Sequence, residues 1–555
     1  MNRLTPAWLA LFVTSAWAQA PSRNPPTKPP AEECSVSGMV VKLAGSEPLK
    51  TATVQLQNLE DRLQSHSTVT DVGGRFQLKG INAGRYQLSV SRNGFVTQAY
   101  GQRKPGDPGA ILTLRPGQNL NDLLFRLIPS AVIAGRVINE EGDPLPWVQV
   151  SALREVYSRG KKGLDSETTV PTNDLGEYRL FDLRPGRYFI RADYIPNERI
   201  IGRGEIERTG SADQRGYVPM YYPGSPDRAR AVALTVKAGE EIPSVEILVR
   251  RVPAFVVRGR IYNLVSRRSA MSYSVTLAPR ESSQWVSLPQ RDVLADAPDG
   301  SFVIPDVLPG PYTLMAFWAE EGRRYQAVQN IDVGNADLEG ASLVIAPGST
   351  LAGHITWEGK PALDADALII FLREADGSYG YSYRARTSTT GLFTLSDVFD
   401  GRYRLAIGGQ SKDSYLKAVR YGATEALENA FAVFRGTNAP LEVIVSSRGA
   451  RIQGTVSDTE NLPVAGVWVV LIPDEPHRDQ FRLYQKTSTD QYGHFLLRGI
   501  PPGNYKIFCW DEVEDGAWED PDFLKPLEKH GQMVSLEEAD SKTVDVVAIK
   551  TKIRD

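Results

Sequence analysis

Apolar and polar positions alternate in a frame that this chain repeats five times. In the run Asp71–Val90, DVGGRFQLKGINAGRYQLSV, Phe76 and Leu78 share one face of an extended segment, Ile81 follows, and a second alternation starts at Tyr86. With its glycines the frame is Gly-x-aromatic-x-Leu/Ile-x-x-apolar-x-x-Gly-x-Tyr. Its copies run from Gly74 to Tyr86, Gly176 to Tyr188, Gly300 to Tyr312, Gly391 to Tyr403 and Gly493 to Tyr505. Each copy predicts a strand, a turn hinged on the second glycine, and a second strand entered at the tyrosine, together a hairpin-like corner. A Gly-x-Tyr step at such a corner predicts a phenol that reaches back to a nearby main-chain group and fixes the turn. These glycines and tyrosines are therefore read as structural residues rather than catalytic ones.

Further short strands surround the frame. In the first module Gly38–Val41 and Ala52–Leu56 precede it, separated by a turn near Gly45–Pro48, and Ile111–Leu114 and Leu123–Leu127 follow it. The second and fifth modules keep the same offsets, with Val148–Ala152 and Val467–Leu471 in the place of Ala52–Leu56. About seven strands per copy, with copies roughly 100 residues apart, is the signature of an immunoglobulin-like sandwich.

The order Gly-x-Val, turn, Pro-Leu and an alternating strand, then the frame, resembles the carboxypeptidase regulatory-like domains, transthyretin-like β-sandwiches that follow the catalytic domain of some metallocarboxypeptidases. It also looks like modules at the front of some bacterial outer-membrane transporters and like starch-binding-type sandwiches. The first, second and fifth modules fit best. The third and fourth have Ala297 and Ser388 where the turn aspartate is expected. The resemblance implies an accessory module and does not imply peptidase activity. The expected fold class is all-β, a tandem array of five immunoglobulin-like/transthyretin-like sandwiches at residues 34–128, 129–251, 252–347, 348–447 and 448–555. Short connections between them predict an extended, semi-rigid array.

The chain opens with Arg3, an apolar run at Ala7–Val13 and small residues at Ala16, Ala18 and Ala20. This predicts a signal peptide over residues 1–20 and an exported protein, periplasmic, cell-surface or extracellular. A proline-rich spacer follows at 21–33. No later run reaches the about 18 apolar residues of a transmembrane helix. A composition of 41% hydrophobic and 23% charged residues is ordinary for folded protein, and the net charge of −3 gives no basic face for nucleic acid.

The five histidines, His66, His354, His477, His494 and His530, have no metalloprotease spacing. No nucleophile elbow or phosphate-binding glycine loop occurs either. The expectation is a non-enzyme without a cofactor. Two features stand out as candidate contacts. Trp468 alternates with Val467, Val469 and Leu471, which turns its ring away from the core toward a sugar or partner ring. The segment Trp510–Asp522 sets seven carboxylates, among them Asp511, Glu514 and Asp515, between and beyond Trp510 and Trp518. It lacks the spacing of a calcium loop. These residues suggest a scaffold with a protein or glycan partner. The rival readings are a carbohydrate-binding protein using Trp468, Trp510 and Trp518, and an accessory subunit of a separate peptidase or outer-membrane transporter. Cys34 and Cys509 stand in different modules, and Cys509 takes an inward position, so no disulfide within a module is expected.

Overall fold

A computed structural model describes residues 32–61, 63–194, 215–263, 273–280, 291–295, 297, 299–320, 322–359, 368–375, 382–436 and 439–551. The expected signal peptide, the spacer up to residue 31 and the polar loop at 196–214 lie outside the described residues. The rest is five β-sandwiches in tandem.

Each sandwich follows one plan. In the first, strand Cys34–Lys42 lies between Arg75–Ile81, antiparallel, and Asn119–Leu127, parallel. The opposing sheet runs Ser65–Val69, Thr53–Asn58, Gly84–Arg92, Phe95–Ala99. Alternation decides which residues close the space between the sheets: Val54, Leu56, Phe76, Leu78, Leu88 and Val90 all face inward and are buried. Each such side chain contributes about 1.5–3 kcal/mol. The parallel closing strand recurs as Glu241–Leu248, Leu338–Pro347, Leu441–Ser446 and Ser541–Thr543. In the third module Arg323–Val333 also pairs with Leu338–Pro347, so its two sheets join into one seven-stranded path.

The repeated frame is an arch and not a hairpin, which corrects the sequence-based expectation. Arg75–Ile81 and Gly84–Arg92 belong to different sheets and pair with different neighbours. The physical reason is that both strands bury an apolar face toward the same interior, which requires the chain to cross from one layer to the other. The tyrosine closes the arch. The phenols of Tyr86, Tyr188, Tyr403 and Tyr505 donate to the carbonyls of Asn82, Arg184, Phe399 and Pro501, each four residues earlier, at 2.8–2.9 Å. Burial pushes the phenol pKa up in all four, to about 12 for Tyr188 and Tyr505. Tyr312 is half-buried against the third core.

The left-handed turn sits at the first glycine of the frame, not the second. Gly74, Gly176, Gly300, Gly391 and Gly493 have φ of 70–80°. A Cβ on any of them would lie 2.4–2.9 Å from a carbonyl of the neighbouring strand. The preceding polar residue holds the turn: Asp71, Asn173 and Asp490 each accept two main-chain N–H bonds through Oδ1, and Ser388 Oγ accepts one. The second glycine has another role, leaving room for the corner ring; Cβ atoms on Gly84 and Gly503 would lie 3.3 Å from the rings of Tyr86 and Tyr505.

A second left-handed position, six residues after the first glycine, escaped the sequence reading. It is occupied by Gly80, Asp182, Asp306, Asp397 and Gly499, with φ of 55–69°. Pairing shifts register there in every module, so each is a β-bulge filled by one of the few residue types that tolerate this conformation.

Both cysteines are free and buried. The Cys509 thiol sits in the fifth core, where burial raises its pKa.

Candidate functional site

The fifth module has an apolar layer outside its sandwich. Strands Trp468–Pro473 and Gly503–Cys509 turn Val469, Leu471, Ile507 and Cys509 inward. Their alternate residues Val470, Ile472 and Phe508 are apolar too, and they need a second cover. Residues 511–530 supply it. Two short 3-10 turns and one helical turn lay Val513, Ala517, Trp518 and Leu524 across the outer face.

The candidate tryptophans are the centre of this layer. Trp510 and Trp518 are 1% and 2% exposed. Trp510 stacks on Phe508 at 5.4 Å between centroids and on Trp518 at 6.2 Å. Trp468 points away from the sandwich, as alternation predicts, but is half-buried against Trp518, with the Lys486 ammonium 4.6 Å from its ring centroid. The expectation of an open aromatic surface is corrected, because apolar residues on both faces of the two strands demanded a lid and the tryptophans are part of it. The continuous runs VWVVLIP and YKIFCW carried that signal.

The carboxylates beside them are committed to partners. Asp511 accepts the N–H and hydroxyl of Thr551. Asp515 pairs with Lys486. Glu512 pairs with Lys104 of the first module, and Glu514 lies 3.9 Å from Lys162 of the second. Tyr157 of the second module packs against the tryptophan layer. Among the described residues no three acidic, histidine or cysteine side chains are grouped to hold a metal ion. His494 is exposed on its strand.

This segment is one part of a larger closure. The frame's turn in the fifth module meets strand Leu112–Leu114 of the first. Thr489 C=O accepts the Ile111 N–H at 3.1 Å, and Asp490 Oδ2 accepts the Thr113 hydroxyl at 2.9 Å. Arg115 lies over the Tyr492 ring, whose hydroxyl accepts from Gln118. Arg498 reaches Glu60 of the first module and Asp413 of the fourth. The fifth module thus contacts the first, second and fourth. The expected extended array is corrected: short connectors restrict each step, but polar side chains at distant turns draw the first and fifth modules together.

An all-β tandem β-sandwich protein is the class that this architecture defines. Residues 35–127, nearly all of the first module, match the family model of the carboxypeptidase regulatory-like domain. Among curated proteins none matches the sequence. Similar solved structures include the Bacillus anthracis TIE protein, 12% identical, covering 57% of this chain and 51% of that one with a TM-score of 0.16. GBS52, the minor pilin of Streptococcus agalactiae, is 11% identical over 40% of this chain and 97% of its own, with a TM-score of 0.22. BcpA, the major pilin subunit of Bacillus cereus, is 8% identical over 75% and 99%, with a TM-score of 0.13. No helix among the described residues is long and apolar enough to cross a membrane.

Proposed function

We propose that the chain is an exported, non-catalytic scaffold that presents five sandwiches in one fixed arrangement at the cell envelope or outside the cell. The observation that carries this reading is the packing of the fifth module onto the first and second, which converts five linked domains into a single preorganised body. Preorganisation favours a scaffold because a partner spanning several modules then loses less freedom on binding. A catalyst gathers perturbed groups around an open cleft. Here marked shifts belong to buried tyrosines at the corners and in the core, a core thiol and an interdomain ion pair, all of which serve packing. The carboxypeptidase regulatory-like domain is itself non-catalytic. Export rests on the charged, apolar and small-residue order of the first 20 residues.

The test is a pull-down from envelope extracts with the mature chain and with a chain opened by Gln491→Ala, Lys104→Ala and Lys162→Ala. A partner retained by the closed chain and lost from the opened one supports the reading. Equal retention would mean that the arrangement plays no part in recognition, and turnover of a peptide or glycoside substrate would contradict the non-catalytic role.

A further inference from the structure

In the third, fourth and fifth modules the left-handed bulge is the socket into which the preceding module fits. Asp306 is 3% exposed, with Gly216 of the second module against its side chain. Asp397 is 8% exposed, and its Oδ2 accepts the N–H of Arg324 in the third module at 3.0 Å. Gly499 leaves room for the carbonyls of Lys412 and Ser414 in the fourth. Asp182 breaks the rule. It has the same left-handed backbone, at φ 56°, but its side chain is exposed and faces a cleft of about 900 Å³ between the first and second modules.

That volume is within the range of small-ligand sites, and its lining has a definite chemistry. Phe95 is half-buried against the first core, and the Arg92 guanidinium lies over its ring with its carbon 5.3 Å from the centroid, so the two form a stacked pair of guanidinium and ring in the cleft lining. Thr53, Thr97 and Asn93 add hydroxyl and amide groups. On the side of the second module, Arg184 is fixed by Glu167 through two bonds of 2.9 and 3.0 Å, which also balances its charge. Burial alone would raise the Glu167 carboxyl, yet the Arg184 contacts hold it low.

We infer that this cleft binds a short neutral oligosaccharide. A polyol offers an apolar C–H face to the stacked Arg92–Phe95 pair and paired hydroxyls to Asp182 and Asn93. An apolar ligand would find only Phe95, Val96 and Pro105 among the lining side chains. A strongly charged ligand would meet both signs, Arg92 and Asp182, across the same space.

The experiment is calorimetric titration of the full chain with maltotriose, cellotriose, xylotriose and chitotriose. At least one should bind saturably with Kd below about 1 mM. Phe95→Ala and Asp182→Asn should each weaken it by about tenfold or more, and Trp468→Ala should leave it unchanged. Asn93→Ala, at an exposed position, serves if Phe95→Ala disturbs folding. Absence of saturable binding by all four sugars overturns the assignment. So does binding that survives Asp182→Asn and Asn93→Ala, and so does binding that is lost with Trp468→Ala instead.

Discussion

The side-chain amide of Gln491 takes the place of a peptide group beside Thr113: its Oε1 accepts the Thr113 N–H at 2.9 Å and its Nε2 donates to the Thr113 carbonyl at 2.7 Å. Strand Leu112–Leu114 pairs with Gly84–Tyr86 on its other side, so Gln491 and its neighbours close the open edge. Asp490, one residue earlier, serves two structures at once. Its Oδ1 holds the frame's turn through the Tyr492 and His494 N–H groups, while Oδ2 takes the Thr113 hydroxyl. Gln491→Ala should leave both main-chain groups of Thr113 without these partners and weaken the contact by about 1–3 kcal/mol. Amide exchange at Thr113 should accelerate while exchange within the fifth core stays slow. Unchanged exchange at Thr113 would show that Gln491 does not hold the modules together.

The corner bond and the turn glycine should differ in cost. Tyr505→Phe removes one hydrogen bond and keeps the ring, so about 1 kcal/mol is expected. Gly493→Ala places a Cβ 2.9 Å from both Pro463 Cβ and the Val456 carbonyl at φ 78°, and should cost about 1–3 kcal/mol. Hydrogen exchange of strands His494–Ile500 and Gly503–Cys509 in the two variants measures the order. A larger loss for Tyr505→Phe would reverse the assigned roles.

Trp518→Ala should destabilise the outer layer by about 3–5 kcal/mol, since it empties a buried indole site. The ion pairs around it are largely exposed and contribute about 0–1 kcal/mol each, so Lys162→Ala should have a much smaller effect. Denaturant titration of the intrinsic tryptophan signal distinguishes them. A neutral Trp518→Ala would mean that the cover over Val470 and Phe508 is not what orders this segment.

Acid should loosen the junction between the fourth and fifth modules. Lys417, at 2.8 Å, and Tyr415 both donate to Glu538 and hold its carboxyl at about 2, below its ordinary 4.5. Arg498 likewise lowers Asp413 across the same junction. A carboxyl with a depressed folded pKa stabilises fully above its unfolded value and loses that contribution as pH falls toward the folded one. The loosening should therefore develop between pH 4.5 and about 2, and Glu538→Gln should flatten part of it. Limited acid proteolysis near residues 446–450 is the readout; equal cleavage at pH 7 and pH 3 would contradict it.

The fold was legible because alternation and corner chemistry act locally. Phe76, Leu78, Tyr86 and their counterparts announce the strands and the corner phenol from sequence alone. Whether the frame was hairpin or arch depended on distant partners such as Cys34–Lys42, which local pattern does not reveal. The bulge was written in the chain as Gly or Asp six residues after each first glycine, but it has no hydrophobic period to draw attention. Closure was the least legible feature. Gln491, Lys104 and Lys162 lie at positions that differ from copy to copy, and each finds its partner only after the modules have folded. The buried state of Trp510 and Trp518 could have been read from apolar residues on both faces of their strands.

The most direct test of the closed arrangement is small-angle scattering of the chain. A 100-residue module has a radius of gyration of about 13 Å, so five placed end to end would extend to roughly 170 Å. Packing of the fifth module onto the first, second and fourth predicts a maximum dimension well short of that, about 100 Å or less. A maximum dimension near 170 Å would contradict the closure.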